Sequence, residues 1–123
     1  WYDYTGSAVR DTDWFIAIIG ESGTLEWTLD AEEETYGFLL GPQECANVAV
    51  VETITAGPCA PATMTIQGSA GEIVWLWVGP SLFEAPDGFV GYEYNYIGTF
   101  SGLYSGTVST ENVSFDAIKS LYR

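Results

Sequence analysis

The sequence contains no histidine, one methionine, two cysteines and only three basic residues in 123. Without histidine, a Ser-His-Asp or Cys-His nucleophile and any His-ligated zinc site are excluded within this chain. No stretch approaches the roughly 18 consecutive apolar residues that a membrane helix needs. No apolar run is longer than Trp14 to Ile19, which has the length of a strand. Membrane insertion is therefore not expected. Seventeen acidic residues against three basic ones leave a net charge of −14. A polyanion of this kind repels phosphate backbones and anionic membrane surfaces, so nucleic acid is excluded as a partner.

The few cations are unevenly placed. Arg10 is alone in the body, whereas Lys119 and Arg123 fall in the last five positions. A basic tail on an acidic body is suited to electrostatic docking, on its own domain or on a neighbour.

What is abundant points to β structure. Forty-seven per cent of residues are hydrophobic, far above a disordered chain, and 14 glycines and five prolines punctuate short runs rich in β-branched and aromatic residues. Arg10 to Gly20 (RDTDWFIAIIG) has a carboxylate-bearing entry and an apolar run, the pattern of a chain entering a buried strand. Thr24–Leu29 alternates Leu25, Trp27 and Leu29 with polar residues, and Ala62–Gly68 alternates Met64 and Ile66 with polar residues. Glu72–Val78 is apolar on both faces. Further strands are expected at Trp1–Thr5, Thr35–Leu40, Cys45–Ala56 and Val90–Phe100.

About eight short antiparallel strands with no long helical pattern imply an all-β, jelly-roll-like sandwich over residues 1–106. Residues 107–123 read as a C-terminal arm: a polar extended stretch, then a short helix with Phe115, Ile118, Leu121 and Tyr122 on one face.

Cys45 and Cys59, with 13 residues between them that include a turn-rich segment, are expected to form a disulfide in an oxidising compartment. Such a loop closure is worth about 3 kcal/mol. The chain begins at Trp1 rather than Met, as a processed extracellular or cell-surface product would.

Asp11 and Asp13, with Asp30, Glu32, Glu33, Glu34 or Asp87, are candidate calcium ligands, although the spacing is not that of an EF-hand loop. Otherwise no cofactor is expected. Trp75 and Trp77 share one strand face, and Tyr92, Tyr94 and Tyr96 share another. Such aromatics are core, a subunit interface, or a stacking platform for glycans. Asn112-Val113-Ser114 is an N-glycosylation triplet. Carboxylate pairs could in principle hydrolyse glycosides, but an acidic surface explains the acids more simply, and no enzyme activity is expected.

Asp-x-Asp-Trp-Phe at 11–15, Gly23-Thr24-Leu25 and the Trp-rich strand from Gly71 to Val78 together resemble bacterial pre-peptidase C-terminal domains. The Cys45–Cys59 segment is similar to a disulfide-bearing variant in secreted multidomain proteins. The resemblance covers about residues 8–104. It implies an extracellular, non-catalytic β-sandwich, in relatives an accessory, spacer or binding module, sometimes with calcium.

Two departures stand out. The family carries a further strand before the one matching Trp1–Thr5, and its core pattern has no tail after Gly106. A module short of an edge strand and bearing an extra arm is suited to strand exchange between copies. The leading expectation is thus a self-assembling filament or surface-layer protomer. Trp1, Tyr2, Tyr4, Phe115, Ile118, Leu121 and Tyr122 are its candidate interface residues. The competing expectation is an accessory domain of a secreted hydrolase that binds calcium or polysaccharide.

Overall fold

The computed structural model describes residues 2–4, 7–84 and 93–105. Nine strands run in chain order: β1 (Tyr2–Tyr4), β2 (Ser7–Val9), β3 (Asp13–Ile18), β4 (Thr24–Ala31), β5 (Thr35–Gly41), β6 (Ala49–Ala56), β7 (Ala62–Gln67), β8 (Ile73–Pro80) and β9 (Tyr96–Ser101). No helix occurs among the described residues. The two large sheets are antiparallel, ordered β3-β8-β5-β6 and β7-β4-β9, and they face each other as a β-sandwich. β1 and β2 form a separate hairpin that joins neither sheet. The sequence predicts a strand at Trp1–Thr5 and none at Ser7–Val9, where the structure has β2. The expected C-terminal arm and helix, 107–123, lie outside the described residues.

Alternation builds the core. β4 contributes Leu25, Trp27, Leu29 and Ala31, and β7 contributes Met64 and Ile66. From the opposite sheet come Ala17, Val74, Leu76, Val78 and Ala56, with Ile19 just beyond β3. Trp27 is 1% exposed and stacks on Phe100 at 6.2 Å. Gly37 of β5 makes room for it: a Cβ there would stand 2.8 Å from the indole Cη2. The one fully buried polar side chain among the described residues, Thr35, donates to the Glu33 carbonyl and shares a 2.8 Å hydrogen bond with the Tyr94 hydroxyl.

The cysteines correct the disulfide expectation. Both are free and exposed. Cys45 lies in the turn before β6 and Cys59 in the tight turn after it, with a φ of 56°. The eight extended residues of β6 hold its two ends apart by about 26 Å. A disulfide tolerates no more than about 7 Å between Cα atoms. The same strand was legible in the sequence, and its length already argued against the bond.

Candidate assembly surface

β3 is an edge strand, paired with β8 on one side only. The Ile19 amide donates to the Glu72 carbonyl at 2.9 Å, whereas the Ile18 carbonyl accepts the Tyr104 amide at 2.9 Å on the opposite side. Backbone groups of successive residues point in alternate directions along a strand. The N–H and C=O groups of Trp14 and Ile16 therefore point away from β8, toward an edge that no other described strand occupies. An apolar strand with such an edge is a template for pairing with another chain.

The outer face of the same sheet is also apolar. Because Val74, Leu76 and Val78 enter the core, Ile73, Trp75 and Trp77 of β8 point outward. The pairing places Trp14, Trp77, Phe38 and Thr53 in one row across the four strands. A second row holds Ile16, Trp75, Leu40 and Val50, and a third begins with Ile18 and Ile73. A bulge between Leu39 and Leu40 keeps the second row on this face. Exposure is heaviest at the open edge: 57% for Trp14 and 71% for Ile16. The apolar run Trp14 to Ile19 predicts a buried strand. In the structure only Ala17 and Ile19 of that run are buried, because the strand lies at the margin of the sheet.

The far end of this face is closed by Arg10. Its guanidinium donates to the Pro80 carbonyl and lies 4.9 Å from the Trp77 ring centroid and 3.9 Å from that of Phe83. Phe38 stacks on Trp77 at 4.7 Å and 9°. Trp77 is consequently only 9% exposed, while Trp75 stays half-buried. Trp75 and Trp77 share a face as expected, but only Trp75 has open surface for a glycan. Burial lowers the pKa of Arg10 from its ordinary value, offset in part by the neighbouring Tyr94 and Tyr36. Composition hinted at none of this, although Arg10 is the only cation before residue 119.

The candidate calcium ligands are dispersed. Asp13 accepts the Tyr96 hydroxyl at 2.5 Å. Glu32 takes both the backbone and side-chain amides of Asn95. Among the described residues no group of three or more acidic or cysteine side chains converges as a metal site would. A hollow of about 370 Å³ beside Asp30 and Cys59 is also lined by Glu32, Asn95 and Tyr96, which are engaged in these same contacts.

Tyr94 and Tyr96 pack inward rather than forming an exposed platform. Burial raises the pKa of each, and for Tyr96 the hydrogen bond to Asp13 raises it further. Tyr92, Asp87, Asn112, Trp1, Phe115, Ile118, Leu121 and Tyr122 lie outside the described residues. Tyr2 and Tyr4 lie on β1.

Comparison with protein-family models, with curated proteins and with solved structures finds no match to this chain.

Proposed function

We propose that this chain is an extracellular structural module that assembles with copies of itself, completing its sandwich with a terminal segment exchanged between protomers. One observation carries the reading. A contiguous apolar sheet face, from Val50 through Trp75 to Ile16, runs out into a strand whose Trp14 and Ile16 backbone groups point to an edge that no other described strand occupies. Covering the exposed parts of Trp14, Ile16, Ile18 and Ile73 is worth about 1 kcal/mol apiece, and pairing the edge adds directional hydrogen bonds. The chain also leaves the described structure at the rim of this face, where Tyr104 bonds to Ile18. The resemblance to secreted bacterial modules and the acidic composition support an extracellular setting. The accessory-domain alternative needs a glycan platform or a metal cluster, and neither is favoured by the placement of Trp77, Asp11 or Asp13.

The test compares the protein with Ile16→Lys by sedimentation velocity and negative-stain microscopy. A lysine at this edge position blocks strand addition without touching the core. The unsubstituted protein should form oligomers or filaments. Ile16→Lys should remain a monomer with an unchanged unfolding midpoint. A wild-type protein that stays monomeric at every concentration would overturn the reading.

A further inference from the structure

We infer that Tyr36, Phe38, Trp77 and Phe83 form a guanidinium cage, occupied at rest by Arg10, whose exchangeable ligand is the arginine side chain of a cationic peptide.

The four rings are linked in an arc. Trp77 stacks on Phe38 at 4.7 Å, Phe38 on Tyr36 at 5.7 Å, and Tyr36 meets Phe83 at 6.2 Å and 41°. The Arg10 guanidinium bridges the two ends of the arc, 4.9 Å from the Trp77 centroid and 3.9 Å from that of Phe83. Ring faces are electron-rich, and the Pro80 carbonyl adds a hydrogen-bond acceptor beside them. Such a site favours a flat cation that also donates hydrogen bonds.

The sheet sets three of the walls. Phe38 and Trp77 are direct partners on β5 and β8, and Tyr36 stands two residues along β5 on the same face. Gly79 leaves the space into which the Trp77 indole lies: a Cβ there would stand 2.5 Å from the indole Cη2. Phe83, 64% exposed, closes the fourth wall.

Arg10 is an imperfect occupant. Its described partners are two rings and one carbonyl, none of them charged. Its Nε is buried with no hydrogen-bond partner among the described residues. A guanidinium that enters from solvent is free to orient so that this donor stays hydrated, a cost that Arg10 bears. Seventeen acidic residues against three basic ones concentrate cationic peptides at this surface, and the rings select arginine among them.

A tryptophan fluorescence titration at fixed ionic strength tests the cage, with a capped Gly-Arg-Gly peptide and its citrulline and lysine counterparts as probes. The wild type should bind the arginine peptide at least about tenfold tighter than either counterpart. Arg10→Ala vacates the cage and should bind it at least about tenfold tighter than the wild type does. Phe83→Ala alters an exposed position, should keep the fold by circular dichroism, and should weaken binding by the wild-type background at least about tenfold. If Arg10→Ala does not fold, the comparison of wild type with Phe83→Ala decides. Equal affinity for the arginine and citrulline peptides, or an affinity that Phe83→Ala leaves unchanged, would overturn the cage. Binding by Arg10→Ala with none by the wild type would overturn the peptide as a ligand that displaces Arg10.

Discussion

The Asp13 carboxylate of β3 accepts the Tyr96 hydroxyl of β9 at 2.5 Å, a tie between the two sheets of the sandwich. Tyr96 packs against the core, and burial is the larger cause of its raised pKa, followed by the hydrogen bond and the negative charge of Asp13. Both effects favour the neutral phenol in the folded state. The associated stability is complete below the unfolded-state value of about 10 and is lost as pH rises beyond it. Tyr96→Phe should cost about 1 kcal/mol near neutral pH, a charged hydrogen bond discounted for partial exposure. Above about pH 10, urea denaturation should show the wild type losing stability faster than the variant. Parallel pH dependences would show that Tyr96 is not responsible.

Cys45 and Cys59 sit at opposite ends of β6 and are both exposed. Under native conditions both thiols should react with a chromogenic disulfide reagent. Reductant should leave the thermal midpoint unchanged, and Cys45→Ser with Cys59→Ser should shift stability by less than about 0.5 kcal/mol. A midpoint that drops on reduction would mean that the two residues are bonded after all.

The strands with clean alternation were legible because one face is wet and the other dry: β4 and β7 carry Leu25, Trp27, Met64 and Ile66 at every second place. Continuous apolar runs were not. Trp14–Ile19 and Ile73–Val78 are apolar on both faces, which fits a strand buried between layers and equally one whose outer face awaits another chain. No local pattern separates these, since the difference lies in what the outer face meets. The Asp13–Tyr96 tie was illegible for a related reason: 83 residues separate the partners, and only the packing of β3 opposite β9 brings them together.

Arg10 directly follows β2 and packs on the sandwich. Its guanidinium covers Trp77, contacts Phe83 and donates to the Pro80 carbonyl. Arg10→Ala should cost about 1–2 kcal/mol by chemical denaturation, combining a partly exposed cation–π contact with a charged hydrogen bond. It should also shift tryptophan emission to the red as Trp77 is uncovered. Arg10→Lys should recover less than half of the loss, because an ammonium cannot lie flat between two rings. Full rescue by lysine would mean that charge alone matters there.

Gly102 steers the chain from β9 onto the edge of β3, and it does so with a backbone that side chains resist. Its φ is +82°, and a Cβ would stand 2.1 Å from the Thr24 carbonyl oxygen. Its own carbonyl accepts the Gly20 amide, the first rung of the ladder toward Ile18. Gly71 provides the control: its φ is +86°, yet no atom lies within 4 Å of a Cβ built there. Gly71→Ala should therefore cost about 1 kcal/mol, the penalty of the left-handed conformation alone. Gly102→Ala adds a clash with rigid backbone and should cost at least about 2 kcal/mol more than Gly71→Ala. It should also displace Leu103 from Ile19, so amide hydrogen exchange at Gly20 and Tyr104 should quicken in the Gly102→Ala background and not in the Gly71→Ala background. Equal costs for the two alanines would mean that the turn at Gly102 yields readily.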